Sequence, residues 1–559
     1  TDLAEPSEAL LATTVAQVGL TGADYLLSTR QLDIFRSGGD IHPEVDVRGQ
    51  RGAYLVHTTL HLAPGEARAW HLVADVTQDH TAIARLRKLL RSNPEQLFAR
   101  VEQDAASNQT NLVKLVANAD GLQTSGDALT TSHHFANVLF NVMRGGIFAS
   151  NYSIQAADLR DFIAIHHPAL LGVQAEFFSR LPESLTLQDL QALVGKMSSP
   201  DLRRLCTSYL PLTFSRRHGD PSRPWNRFNI NIKNPDGSLR LSYEGNWRDI
   251  FQNWEALAWS YPEFIEAMLG VFLNATTVDG YNPYRLTRDG VDWEIPEPHN
   301  PWANIGYWGD HQIIYLQKLM EISAALHPGR LQGYLAQPLF SYADVPYRLK
   351  PYPALLQDPY STIEFDWELQ KVIEGRVREA GMDGRLVAGP DGGVFHASLA
   401  EKLLTLLLAK LANFVPEGGI WMNTQRPEWN DANNALAGKG LSVVTLGYLR
   451  RFLVFCRALF DRGEAQDMPV SREVARFYSQ VADILARFEP VLMAGFNDTQ
   501  RRAMMDALGQ AGSDYRWNFY HHGLSGEITA LPAGQVSRFL ALAQAYVDGS
   551  LRANRRPDD

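Results

Sequence analysis

Residues 418–434 combine side-chain types that are typical of sugar-binding and sugar-cleaving sites. Two tryptophans, two carboxylates, an arginine and several amides lie in one short connection between two apolar stretches. The paired glycines at its start and Pro427 keep the connection out of regular helix. A tryptophan ring covers the apolar face of a pyranose, and carboxylates and amides hydrogen-bond its hydroxyl groups. The segment therefore predicts a carbohydrate site, with Asp431 or Glu428 as its catalytic acid.

A second segment of this kind covers residues 212–254. If a helix begins near Asn246, then Asp249, Gln252 and Asn253 lie on adjacent positions of its first turns, where the helix dipole stabilises a carboxylate. A charged helix N-terminus capped by Asn246 explains the same residues without a site. The density of aromatic residues nearby favours the site: Tyr243, Trp247, Trp254 and Trp259.

A third segment covers residues 274–312, with Trp308, Asp310 and His311 near its end. An aspartate beside a histidine suggests acid/base chemistry or a metal site, although Asp310 can equally well orient a polar neighbour. We predict no metal, because His299 and His311 lack a compact ligand set such as two histidines four residues apart with an acid.

Helices must position these three segments, since the apolar residues recur with a helical period from about residue 81 to the C-terminus. The predicted helices cover residues 80–91, 94–117, 133–147, 155–164, 187–197, 248–259, 261–274, 303–325, 361–379, 396–413, 440–461, 470–488, 496–509 and 533–550. Sequential helix pairs with long polar loops fit a mainly α fold of the (α/α)6-barrel type. A solenoid also stacks helix pairs, but the sequence has no fixed repeat period.

Residues 1 to about 75 have the composition of strands, and residues 53–74 predict a hairpin around a turn at residues 63–66. We therefore divide the chain into residues 1–78, the end of a β-sandwich, residues 79–130, a helical linker, and residues 131–559, the catalytic barrel. The chain begins at Thr1 without an initiator methionine or a signal-peptide pattern, so we expect a processed product or a fragment of a longer protein.

Composition narrows the function classes. Of 559 residues, 20% are charged and 45% hydrophobic, which is ordinary for a globular protein. A net charge of -10 without a long basic run argues against nucleic acid as a partner. The longest apolar run, residues 403–411, is too short to cross a membrane. Cys206 and Cys456 lie far apart in apolar helical contexts, which favours buried free thiols and a cytoplasmic location.

Two short motifs resemble those of the inverting disaccharide phosphorylases that act on cellobiose and chitobiose, and of their kin among the (α/α)6-barrel glycosidases. In that family a Tyr-Arg-Asp-x-x-Gln-Asp segment holds the sugar at the cleaved bond, and a Trp-Asn-Asp-x-x-Asn segment supplies the general acid. Here they appear as residues 247–253 and 429–434. The resemblance implies that Asp431 protonates the glycosidic oxygen and that Arg248 and Asp249 bind sugar. It also implies pairing of two chains through their sandwich domains.

Two departures from the family pattern bear on the reaction. Asn253 replaces the second aspartate of the first motif, and residues 520–527 stand where the family has a Thr-Gly-rich phosphate-binding segment. Because that segment is missing, the sequence favours inverting hydrolysis or sugar transfer on a β-linked glucan or oligosaccharide. The general base of a hydrolase would be Asp249, Glu244, Glu294 or Asp310.

Phosphorolysis to a sugar 1-phosphate is the first alternative, with inorganic phosphate as co-substrate and no other cofactor. Its phosphate would be held by a cationic cluster that otherwise pairs with loop acids: Arg216, Arg217, His218 and Arg223. A non-catalytic sugar-binding domain of a larger protein is the second alternative. Besides the catalytic pair Asp431 and Asp249, the predicted sugar-binding residues are Glu244, Trp247, Arg248, Gln252, Trp308, Asp310, Arg426, Glu428, Trp429, Asn430 and Asn434.

Overall fold

The computed structural model describes residues 10–148, 150–213, 240–283, 285–297, 312–424, 438–462 and 467–555, and the single residues 234, 238 and 299. Residues 94, 246–249, 312 and 462 are described by their backbone alone. The chain forms two compact units, residues 1–117 and residues 118–559. The prediction of a mainly helical protein is confirmed. The barrel, the sandwich and the predicted domain limits stay predictions.

The first unit contains two antiparallel ladders and three helices. Its elements are β1 (Ala12–Val18), β2 (Asp24–Leu26), α1 (Leu32–Arg36), β3 (Leu55–His57), β4 (His71–Gln78), α2 (His80–Leu90) and α3 (Pro94–Asn118), the last of which ends one residue beyond the unit. Strand β1 pairs with β4, and β2 pairs with β3. Asp79 begins α2 by accepting a hydrogen bond from the Ala82 amide.

The predicted hairpin of residues 53–74 is wrong. The turn at its centre exists, since the Glu66 amide donates to the Ala63 carbonyl at 3.0 Å. However, the strands on its two sides, β3 and β4, pair with the earlier strands β2 and β1 instead of with each other. The connection from His57 to His71 is longer than the two to five residues that join hairpin strands, so the turn does not set a register.

The helices of the second unit follow the predicted positions within a few residues at most ends. They are α4 (Ala128–Gly145), α5 (Ala156–His166), α6 (Pro168–Val173), α7 (Ala175–Arg180), α8 (Leu187–Val194), α9 (Pro200–Thr207), α10 (Trp247–Ser260), α11 (Ile265–Ala275), α12 (Gln312–Leu326), α13 (Arg330–Tyr334), α14 (Tyr352–Gln357), α15 (Trp367–Ala380), α16 (Leu399–Leu411), α17 (Val443–Arg462), α18 (Arg472–Leu492), α19 (Asp498–His522) and α20 (Ala533–Ala553). Single 3₁₀ turns cover Pro262–Phe264 and Met382–Arg385. The predictions missed five helices of five to eight residues: α6, α7, α9, α13 and α14. Residues 303–311 of one predicted helix lie outside the described residues.

Short strands come directly before many of these helices and pair with other short strands. The strands are β5 (Ser153–Gln155), β6 (Ser184–Thr186), β7 (Glu244–Asn246), β8 (Arg285–Thr287), β9 (Gly290–Asp292), β10 (Pro338–Phe340), β11 (Tyr347–Leu349), β12 (Ile363–Phe365), β13 (Ala397–Ser398), β14 (Ile420–Trp421), β15 (Leu441–Ser442), β16 (Asp467–Ser471) and β17 (Ile528–Pro532). All pairs are antiparallel: β5 with β6, β7 with β8 and β8 with β9, β10 with β13, β11 with β12, β14 with β15, and β16 with β17. Each ladder therefore fixes the start of at least one helix.

Helix α16 forms the centre of the core. All of its residues except Ala409 are buried, including the charged Glu401, Lys402 and Lys410. Its start is set by Ser398, whose hydroxyl accepts from the Glu401 amide. Helix α18 packs against both α16 and α19, and α20 packs against α17. The long apolar run in α16 thus belongs to an interior helix, because every side of it is covered.

Both cysteines are buried and free, as predicted. Among the described helices, none is both long and apolar enough to cross a membrane.

Candidate functional site

Helix α10 begins at Trp247, close to the predicted start. The side chains of Trp247, Arg248 and Asp249 lie outside the described residues, so their predicted roles stay predictions. Gln252 is exposed, whereas the next residue, Asn253, is 3% exposed, with no hydrogen-bond partner for its Nδ2 among described atoms. The amide of Asn253, which stands where the family motif has its second aspartate, therefore lies on the buried side of this turn.

Two of the aromatic residues that suggested a sugar site are core residues. Tyr243 is 3% exposed and Trp254 is fully buried, with their rings packed edge to face at 5.3 Å between centroids. The Trp254 indole donates to the Gly145 carbonyl at 3.2 Å. The interpretation of Tyr243 and Trp254 as part of a sugar-binding surface is therefore wrong, because both rings are buried and pack against each other. Trp259 is 60% exposed near the C-terminal end of α10.

Glu244, a predicted sugar ligand and candidate base, lies in an ion-pair network on the sheet before α10. Arg285 of β8 is 3.4 Å from the Glu244 carboxylate and also pairs with Asp292 of β9. Arg385 pairs with Asp292 at 2.8 Å and lies 5.0 Å from the centroid of the Trp293 ring. Alternating charges on β7, β8 and β9 thus tie together the three strands of this sheet, of which β7 leads directly into α10.

The ends of the segment that carries Asp431 are held together. The Met422 amide donates to the Gly440 carbonyl at 3.0 Å, and the Gly438 amide donates to the Met422 carbonyl at 2.7 Å. The Trp421 indole donates to the Gly438 carbonyl at 2.9 Å. These bonds extend the β14–β15 ladder and hold residues 421–424 and 438–440 together; we call these two segments the neck. Trp421 is itself a buried core residue.

Gly438 is the residue of the neck that tolerates no side chain. Its φ of +74° is in the left-handed region, and a Cβ would overlap the carbonyl oxygen of Pro359. We expect Gly438→Ala to displace the neck and to lower activity more than it lowers the melting temperature. Gly392→Ala is the matched control, because Gly392 has a φ of +82° but open space around it. Equal loss of activity and stability in the two variants would contradict a special role for the neck.

Two polar side chains of the neck are buried, and one of them is hydrogen-bonded to residues outside the neck. Asn423 and Thr424 are 3% and 1% exposed. The Tyr281 hydroxyl donates to the Asn423 amide oxygen at 3.3 Å, and the Asn423 Nδ2 donates to the Asn413 amide oxygen at 2.9 Å. Lys410 is 3% exposed and lies 6.0 Å from the centroid of the Tyr281 ring. We call this group (Tyr281, Lys410, Asn413 and Asn423) the floor.

The floor was not predicted as a unit. The sequence does contain a signal for it, since Lys410 and Asn413 interrupt and end the apolar run of α16. Their convergence with Tyr281 could not be predicted, because Tyr281 comes from a loop about 130 residues away and no local period links the two. Buried polar groups of this kind must be paired or bind a ligand.

Most other predicted site residues lie outside the described residues. They are Arg216, Arg217, His218, Arg223, Trp308, Asp310, Arg426, Glu428, Trp429, Asn430, Asp431 and Asn434. Their predicted roles therefore stay predictions.

A second buried polar cluster joins α5, α9 and the turn after α15. The Arg204 guanidinium pairs with Asp383 at 2.5 Å, and both side chains are 2% exposed. The His167 Nδ1 is 3.0 Å from the same carboxylate, and His396 pairs with Asp201 at 3.2 Å. Three of these residues, His167, Asp201 and Asp383, have the spacing of metal ligands. Arg204 already neutralises Asp383, so an ion-pair network explains the cluster.

This cluster ties residues 148–211, which contain two short strands and five helices, to the rest of the second unit. Residues 148–211 match the glycoside hydrolase family 149 insertion domain 1. The match indicates a carbohydrate-active enzyme, either a glycoside phosphorylase or a glycoside hydrolase. No curated protein matches the chain.

Proposed function

We propose that this chain carries out the phosphorolysis of β-1,3-linked glucans, which releases glucose 1-phosphate. The observation that supports the proposal is the match of residues 148–211 to an insertion domain of glycoside hydrolase family 149, a β-1,3-glucan phosphorylase family in the clan of the cellobiose and chitobiose phosphorylases. The sequence motifs at residues 247–253 and 429–434 resemble the same clan. Two independent parts of the chain therefore suggest related enzymes.

The family match favours phosphorolysis over the hydrolysis that the sequence alone suggested. That first interpretation depended on the missing Thr-Gly-rich segment. A phosphorylase needs no second carboxylate to activate water, because phosphate attacks the anomeric carbon directly. Of the four candidate bases of a hydrolase, Glu244 is engaged in an ion pair with Arg285.

In the proposed reaction Asp431 donates its proton to the glycosidic oxygen as the bond to the anomeric carbon breaks. A phosphate oxygen forms the new bond to that carbon from the opposite face, so the β-linked substrate gives an α-linked sugar 1-phosphate. Arg248 and Asp249, at the start of α10, bind hydroxyl groups of the sugar at the cleaved bond. The neck holds together the residues on the two sides of the Asp431 segment.

The test is to incubate the protein with β-1,3-linked gluco-oligosaccharides with and without inorganic phosphate. We expect α-glucose 1-phosphate and a shortened oligosaccharide only when phosphate is present, identified by ³¹P and ¹H NMR. Reducing sugar formed equally fast without phosphate would show hydrolysis instead. β-1,4-linked oligosaccharides of the same length are the matched control and should react much more slowly.

A further inference from the structure

Arg516 is a buried arginine whose guanidinium has no acceptor among the described residues. It lies in the second half of α19 and is 5% exposed. Its Nε is closed off from solvent without a hydrogen-bond partner, and the described residues form no ion pair or hydrogen bond with its side chain. Burying a charge without a partner costs several kcal/mol. The buried guanidinium of Arg516 would therefore be stabilised by a ligand that supplies a negative charge.

The guanidinium lies beside the end of α16. A Cβ placed on Gly512 would be 3.3 Å from the Arg516 Nη1 and 2.7 Å from the Ala412 Cβ. The lack of a side chain at Gly512 thus leaves room for the guanidinium next to Ala412, the residue before Asn413 of the floor. Burial raises the pKa of Tyr281, and the positive charge of Arg516 opposes that rise. Arg516 is therefore close enough for its field to act on the floor.

Asp279 provides a buried carboxylate in the same region. Asp279 is 4% exposed and also acts electrostatically on Tyr281. It accepts hydrogen bonds from the Thr277 hydroxyl and, at 2.5 Å, from the Tyr520 hydroxyl. It forms no ion pair with Arg516. The buried Lys410 adds a second cationic side chain on the side of Tyr281.

On the basis of the proposed phosphorolysis, we propose that Arg516 binds the attacking phosphate at the floor, next to Tyr281. A guanidinium offers a planar fork of N–H donors that matches two oxygens of a phosphate group. In a site shielded from water such charge-assisted hydrogen bonds are stronger than at the surface. This assignment puts the phosphate ligand on α19, not in the cluster of residues 216–223.

The test compares thermal unfolding of the wild type and of Arg516→Met, each with and without inorganic phosphate. The wild type should melt at a higher temperature with phosphate, and the variant should lose this rise. Without phosphate the variant should be at least as stable as the wild type, because it removes an uncompensated buried charge. Arg502→Met is the matched control on the same helix, since Arg502 is exposed and already paired with Asp506. Arg502→Met should keep the full phosphate-dependent rise in melting temperature.

Arg516→Lys provides a second variant, because it keeps the charge and removes the fork. We expect the KM for phosphate to increase roughly tenfold to a hundredfold, with the KM for the oligosaccharide unchanged. Two results would overturn the assignment of Arg516 as the phosphate ligand: a full phosphate-dependent rise in the melting temperature of Arg516→Met, or an unchanged KM for phosphate in Arg516→Lys.

The two proposals can fail separately. If the wild type forms no glucose 1-phosphate but Arg516→Met alone loses the phosphate-dependent rise, the anion site stands and the proposed reaction is wrong. If the wild type is a phosphorylase and both Arg516 variants keep wild-type phosphate kinetics, the reaction stands and the anion site is wrong. Sulfate at equal ionic strength, added in place of phosphate, separates tetrahedral-anion binding from a general salt effect.

Discussion

The Asp431→Asn variant is expected to lose cleavage of unactivated oligosaccharides by a factor of about 10²–10⁴, the usual contribution of a general acid. The amide keeps the shape of the carboxyl group but cannot donate a proton to the glycosidic oxygen. The chain should fold as the wild type does, because the substitution is isosteric. The measurement is the initial rate of oligosaccharide cleavage, together with the melting temperature.

A substrate with a good leaving group separates acid catalysis from a merely structural role. In a β-glucoside of an acidic phenol, the phenolate leaves without being protonated. The rate of cleavage of this substrate should therefore fall far less in Asp431→Asn than the rate of cleavage of the oligosaccharide. Asp391→Asn makes the same chemical change in an exposed turn, where Asp391 accepts from the Gly393 amide, and should be silent. Equal losses on both substrates would remove Asp431 as the acid.

Asp383→Asn is expected to give the largest loss of stability, about 3–5 kcal/mol, because it removes the closer counter-charge of the buried Arg204 guanidinium and leaves only Asp201, at 3.6 Å. Calorimetry measures this as a drop in the melting temperature. Asp498→Asn removes an exposed partner of Arg501 at the start of α19 and should cost at most about 1 kcal/mol. Adding Arg204→Met to the Asp383 variant should recover much of the loss, since no unpaired charge remains. A double variant as unstable as the single one would contradict this explanation.

The same cluster gives stability a defined pH dependence. The hydrogen bond to Asp383 raises the pKa of His167 above 6.5, so its stabilising effect is complete below pH 6.5 and is lost as the pH rises through the higher folded value. Burial alone would raise the pKa of Asp383, but Arg204 and His167 outweigh it and lower that pKa below 3.8. Its contribution is therefore present above pH 3.8 and is lost as the pH falls through the folded value. Asp383→Asn should therefore reduce the pH dependence of the free energy of unfolding at both low and high pH.

Local sequence patterns predicted the helices well and the tertiary partners poorly. The apolar run of residues 399–411 identified α16, because a helix that is apolar on every side must be interior. The hairpin of residues 53–74 failed because strand pairing depends on which distant strand is available. The same limit applies to Asp383, whose partners His167 and Arg204 lie in a different part of the chain.

In the candidate site too, the sequence predicted local segments but not their tertiary contacts. Residue types in short loops predicted a sugar site at residues 418–434, and this site stays a prediction, because residues 425–437 lie outside the described residues. Tyr243 and Trp254 misled the prediction, because an aromatic residue near a loop has the same local signature whether it packs in the core or faces a ligand. Arg516 gave no local signal, because its environment is created by Gly512 and by loops that precede it by more than 200 residues.

The two thiols have a practical consequence for following the neck in solution. Burial raises the pKa of Cys206 to about 12 and raises that of Cys456 further still. Alkylating reagents attack the thiolate, so neither cysteine should be modified at neutral pH in the folded protein. The two natural cysteines therefore need not be replaced before a label is attached to an introduced cysteine. One cysteine introduced in place of Lys439, an exposed residue of the neck, would accept a fluorophore or spin label selectively, and its signal would report how the neck responds to sugar and to phosphate.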